Sequence, residues 1–137
     1  MDMPENVPPA ADVQKDAKAE AVVAMNAWLE TIDKGDYAAS WKAAAESFRN
    51  ALGEAQWAAA LNSARTPLGK VKKRRLASAL YQTSVPQPGG KLLKGDFVIA
   101  QFESSYENLA YAIETITFEK EKDGAWRASG YYIRPKL

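Results

Sequence analysis

The chain contains neither His nor Cys, so the chemistry open to it is that of Asp, Glu, Tyr, Lys and Arg. The usual general base, the usual metal ligands and the thiolate nucleophile are all missing from its repertoire. No metal-ligand spacing and no cofactor motif stands in for them, so neither a metal nor a cofactor is expected. One carboxylate stands out. Glu114 lies in the run LAYAIETITFEK, where Ala112, Ile116 and Phe118 share its strand face. An isolated charge on an apolar face is costly to bury, so Glu114 is expected either to pair, with Arg65 as the candidate partner, or to act on a ligand. Around it, Tyr81, Tyr106 and Tyr132 are candidate hydrogen-bond donors and Trp126 a candidate pocket wall. These six form a ligand-binding hypothesis, and no residue is assigned as catalytic, because no second acid–base group is fixed beside Glu114.

The elements that must position these residues follow from periodicity. Ala21, Met25, Trp28, Leu29 and Ile32 recur at three- and four-residue spacing and predict a helix from about Asp12 to Lys34. A second helix is expected from Asp36 as its cap, with Tyr37, Trp41, Ala44, Ala45, Phe48 and Leu52 inward, until Gly53 breaks it. A third runs from Glu54 to about Ala64 and ends before Arg65-Thr66-Pro67-Leu68-Gly69, which Pro67 bars from continuing. From Lys70 onward the period is near two. Strand one is expected over Lys70–Ser84, followed by a loop at Val85–Gly90, a strand from Gly95, and hairpin turns at Glu107-Asn108 and Lys122-Asp123-Gly124. Alternation places Val98, Ala100, Phe102, Ser104 and Tyr106 inward on strand two, and Trp126, Ala128, Gly130 and Tyr132 inward on strand four. The fold class is therefore α+β: three N-terminal helices packed on a curved four-stranded antiparallel sheet, a single domain over residues 12–137 behind a disordered lead-in over 1–11. Small residues on the inner sheet face (Ala100, Ala112, Ala128, Gly130) predict a pocket between helices and sheet.

The net charge of +1 conceals a segregation. Residues 65–94 hold eight basic and no acidic side chains, between two acidic sections. Lys72 to Arg75 are four consecutive cations, with charge on both strand faces, so this start of strand one is expected to project beyond the packed sheet. The absence of aromatic residues interleaved with the charges argues against a nucleic-acid partner. No segment approaches transmembrane length, and no apolar run near the start matches the core of a secretory signal.

Trp28, Asp36-Tyr37, Ser40-Trp41, Phe48, Gln56-Trp57, Arg65-Thr66-Pro67-Leu68-Gly69, Glu114-Thr115 and the closing DGAWRASGYYIR resemble an uncharacterised bacterial family, domain of unknown function four-thousand-and-nineteen, over roughly Ala17–Arg134. The order of helices before a curved sheet is also similar to the nuclear transport factor 2-like (cystatin-like cone) superfamily. The narrower resemblance implies an exported protein, periplasmic or secreted after signal removal; the lack of Cys fits the cytoplasm equally well. Two functions are compatible with these readings. The favoured one is a non-catalytic binding or accessory module for a small apolar or amphipathic ligand or a partner protein, with Tyr111, Ile113, Tyr131 and Ile133 on the outer sheet face available for a homodimer. The alternative, implied by the wider superfamily, is an isomerase- or dehydratase-like enzyme with Glu114 as base.

Overall fold

Helix α1 (Ala11–Asp33) is the longest helix, and its stripe of Ala21, Met25, Trp28, Leu29 and Ile32 is buried against the sheet. The structure, a computed structural model, describes residues 9–87 and 89–136. The lead-in expected over residues 1–11 falls mainly outside that range. Pro9 is within it, and its carbonyl accepts the Gln14 side chain at 2.8 Å. Gly35, at φ 82°, turns the chain out of α1.

The single helix expected from Asp36 to Leu52 is two. Asp36 caps α2 (Tyr37–Lys42) by accepting the Ala39 N–H, and α3 (Glu46–Ala51) starts after a break at Ala43–Ala45. The cause is tertiary. Ala45 is extended, and its N–H, which a continuous helix would use internally, donates to the Ala128 carbonyl at 2.8 Å on the sheet's last strand. Ala44 and Ala45 are fully buried, and only side chains this small let the backbone come so close. Helix α4 (Glu54–Ala64) follows as expected, with Trp57 and Leu61 buried, although Ala60 faces out.

The strands β1 (Val71–Pro86), β2 (Leu92–Tyr106), β3 (Leu109–Lys120) and β4 (Trp126–Pro135) form an antiparallel meander in the order β1-β2-β3-β4. Both expected hairpin turns are present, with Gly124 at φ 86° in the second. Inward placement on β2 and β3 agrees with the alternation: Val98, Ala100, Phe102, Ser104 and Tyr106 are buried, as are Ala112, Glu114, Ile116 and Phe118.

Strand β4 departs from it. Phe118 pairs with Ala128 and Thr117 with Gly130, so Ser129 is an extra residue at a bulge. The bulge reverses the parity of everything after it. Tyr131 and Ile133 therefore pair with the inward Ile116 and Glu114, while Gly130 and Tyr132 lie on the outer face, opposite Thr117 and Thr115. Tyr132 is 65% exposed. The outer-face set Tyr111, Ile113, Tyr131, Ile133 is corrected to Tyr111, Ile113 and Tyr132.

The space expected to be a pocket between helices and sheet holds aromatic rings. Trp28 stacks on Trp57 with centroids 5.9 Å apart, and Phe118, Tyr131 and Phe48 meet this pair edge-on. Such contacts each add about 0.5–1.5 kcal/mol beyond the area they bury. Both indoles are also anchored at buried Ser40, Trp28 on its carbonyl at 2.8 Å and Trp57 on its hydroxyl at 2.9 Å. Ala100 and Ala128 make room for these rings instead of lining a cavity.

Candidate functional site

Glu114 is wholly buried, and its two oxygens are taken. Oε1 accepts Ser104 Oγ at 2.5 Å and Arg74 Nε at 2.8 Å; Oε2 accepts the Tyr131 hydroxyl at 2.5 Å and has Arg65 Nη1 at 3.7 Å. The inward parity of β1, β2, β3 and β4 at this level brings Arg74, Ser104, Glu114 and Tyr131 together. Asp33, one turn beyond Leu29 on the buried stripe of α1, closes the cluster from the helical side. It takes both terminal nitrogens of Arg74, at 2.7 and 3.0 Å, and Arg65 Nη2 at 2.6 Å. Two guanidinium groups thus face two carboxylates, and the buried charges cancel.

The surroundings of these charges set the nearby titrations. Burial works against ionised Asp33, yet the hydrogen bonds from Arg74 and Arg65 hold its carboxyl below the usual carboxylate range. Burial, and then the negative charge of Glu114, push Tyr106 up to about 12 and Tyr131 well above an ordinary phenol. The Arg65 guanidinium also lies over the Tyr106 ring, 4.8 Å from its centroid.

Arg65 opens the Arg-Thr-Pro-Leu-Gly turn, and each residue of that turn holds something. The Thr66 hydroxyl meets Tyr37 at 3.0 Å; the Pro67 carbonyl accepts Asn108 Nδ2 at 3.1 Å; the Leu68 carbonyl accepts the Asn108 N–H at 2.9 Å. Gly69 adopts φ 76°, and a Cβ there would meet Glu107 at 3.0 Å. The motif is a clamp that docks the end of α4 on the β2–β3 hairpin and aims Arg65 into the cluster.

Of the six residues expected to form one site, Glu114, Arg65 and Tyr106 are together. Tyr131 takes the inner position expected of Tyr132, displaced there by the bulge. Tyr81 and Trp126 lie at the opposite end of the inner face, beside the first turns of α1. There Trp126 Nε1 donates to Glu20 at 3.3 Å, and Tyr81 donates to Asp96. The cluster also contains Arg74 and Asp33, which the residue pattern did not single out. Arg74 corrects the expectation that the basic start of β1 projects free: Lys72, Lys73 and Arg75 are exposed, but the Arg74 side chain is 13% exposed.

As a reaction centre the cluster is spent. A general base needs a lone pair within reach of a substrate proton; every oxygen of Glu114 already accepts from, or is paired with, a neighbour and none meets solvent.

A largely apolar surface feature is on the other side of the sheet. A cleft of about 460 Å³ opens on the outer face, with Ile99, Thr115, Thr117 and Tyr132 as its floor. The end of the β1–β2 hairpin (Val85, Pro86, Leu93) forms one wall, and α3 with the residue after it (Phe48, Ala51, Leu52) forms the other. Helix α3 reaches this side because the segment around Ala45 wraps the β4 edge, where Ser47 donates to Glu119 at 2.6 Å.

Fold and cluster together define an α+β domain: a four-strand antiparallel meander, covered on one face by helices and clasped by buried charges. Residues 24–131 match the family described as Protein of unknown function (DUF4019), and the chain belongs to that family. No curated protein and no solved structure matches the chain. Among the described residues, no helix is long and apolar enough to cross a membrane.

Proposed function

We propose that this domain is a non-catalytic binding module that holds a small apolar or amphipathic ligand on its outer sheet face. The carrying observation is that Glu114, the one fully buried carboxylate among the described residues, is saturated by Ser104, Arg74, Tyr131 and Arg65 and is closed to solvent. This argues against the isomerase- or dehydratase-like alternative, in which Glu114 is the base. The 460 Å³ of the outer cleft falls within the range of about 300–1,000 Å³ common for small-molecule sites.

Helices before an antiparallel sheet, with that sheet covered on one face, support kinship with the nuclear transport factor 2-like cones. The family resemblance supports export, so we place the module in the periplasm or outside the cell. A second reading has the same face receive another copy of the chain, and exposed Leu80, Tyr111 and Tyr132 favour it.

Native mass spectrometry of protein purified gently from its own host tests the proposal. A bound small molecule that survives Glu114→Gln and is lost in Thr117→Lys supports it. A bound mass lost in folded Glu114→Gln and kept in Thr117→Lys overturns it, and a dimer without small molecule moves the function to self-association.

A further inference from the structure

The outer cleft is distinguished by the absence of charge. Thirteen residues line it and none is ionised, whereas the chain's 26% charged composition would put about three there. Four other surface clefts each carry at least four charged side chains. Its polar side chains are five hydroxyls and, at the rim, the uncharged Gln87 carboxamide, and three of the hydroxyls are unspent: Thr115, Thr117 and Tyr132 make no side-chain hydrogen bond within the described protein, while Ser47 and Ser129 are engaged with Glu119 and the Thr117 carbonyl.

The three residues that carry the free hydroxyls have defined positions on the sheet. Thr115 and Tyr132 are direct cross-strand partners, which sets their Cβ atoms about 4.5–5.5 Å apart. Thr115 and Thr117 are two residues apart on one strand face, a separation of about 7 Å. Beside this triangle stand the apolar walls, Phe48 and Leu52 on one side, Val85 and Leu93 on the other. The cleft thus sets several uncharged hydrogen-bonding groups beside apolar walls, the pairing that suits a molecule with a few neutral oxygens and a hydrocarbon remainder.

Resting on the reading of this cleft as the binding site, we infer that its ligand is an uncharged amphipath. A short hydrocarbon tail lies between the hairpin end and α3, and two or three hydroxyl or ester oxygens meet Thr115, Thr117 and Tyr132. A carboxylate or ammonium head group is rejected, because it would lose water with no countercharge in the lining to replace it.

The test is a matched set of twelve-carbon probes: 1-monolauroylglycerol, laurate and dodecylammonium, each titrated into the full chain below its aggregation concentration by calorimetry, with backbone amide NMR to locate the site. The neutral ester is expected to bind and to shift Thr115, Thr117 and Tyr132, and each ion to bind at least about tenfold more weakly, the discrimination that one unmatched polar group readily gives. Thr117→Lys, on the exposed face where it leaves the core untouched, is expected to reverse the preference toward laurate. Equal binding of neutral and charged probes at these residues overturns the ligand class and leaves the cleft standing as a binding site. Failure of all three probes to perturb the cleft overturns both the ligand class and the cleft as a small-molecule site.

Discussion

Replacing Arg74 by Met keeps most of the aliphatic stem in place and removes the guanidinium that holds Glu114 at 2.8 Å and Asp33 at 2.7 and 3.0 Å. Two carboxylates are then left with one cation, Arg65, which is 2.6 Å from Asp33 but 3.7 Å from Glu114. Because Glu114 has no exposure to water, its charge is the one left uncompensated. Breaking a buried pair from one side costs about 3–5 kcal/mol. For a chain of this size each kcal/mol lowers Tm by about 3–5 °C, so Arg74→Met is expected to melt about 9–25 °C below the parent. Glu114→Gln alone leaves Arg74 and Arg65 on Asp33, keeps a carbonyl oxygen to accept from one of the Ser104 and Tyr131 hydroxyls and turns an NH2 toward the other, and should cost less, about 1–3 kcal/mol. The two changes must also couple. In the Arg74→Met background, Glu114→Gln removes the stranded charge, so the double variant should be more stable than the sum of single losses demands, by about 0.5–3 kcal/mol. Urea denaturation at neutral pH, followed by tryptophan fluorescence, gives all four corners of the cycle. Additive effects, with Arg74→Met costing under about 1 kcal/mol, would refute the clasp and return Glu114 to the list of groups free to act on a ligand.

Two further predictions follow from the same geometry. Asp33 has a folded-state pKa below its unfolded value of about 3.9, so its contribution is complete above that value and is lost as pH falls through the folded one. Acid titration of stability should therefore show a decline below about pH 4 that is shallower in Asp33→Asn; equal slopes in the two proteins would contradict it. Gly69→Ala forces a Cβ to within 3.0 Å of Glu107 at φ 76° and should destabilise by more than about 1 kcal/mol, measured in the same urea assay; a neutral or stabilising result would mean the turn does not clamp α4 to the β2–β3 hairpin.

Much of this architecture is legible in the residues. Burial alternates from Val98 to Tyr106 on β2 and from Ala112 to Phe118 on β3, so that inward set and the placement of Glu114 can be read directly, as can the buried stripe of α1. Three features resist such reading for separate reasons. Ala43, Ala44 and Ala45 are the best helix formers, and nothing local betrays that the Ala45 N–H is given to the edge of β4. The bulge at Ser129 shifts one residue and thereby exchanges Tyr131 for Tyr132 in the cluster; its local sign is Gly130, since an isolated glycine within a strand often marks a bulge. Arg74 is hidden inside a run of four cations, three of which are exposed, and only the cross-strand register, which places it opposite inward Ser104, separates it from its neighbours. Asp33 had a visible signal, its position one turn after Leu29 on the buried stripe. The outer cleft had none, because its walls come from α3 and the hairpin end, which meet only in the folded chain.

We propose that charge on the inner face holds the fold and that binding takes place on the outer face. Native mass spectrometry of the parent chain, Glu114→Gln and Thr117→Lys, each purified from the native host and checked for folding by circular dichroism, tests it most directly. A bound neutral molecule is expected on the parent chain and on Glu114→Gln, and none on Thr117→Lys. A bound mass that follows Glu114 and ignores Thr117 would contradict it.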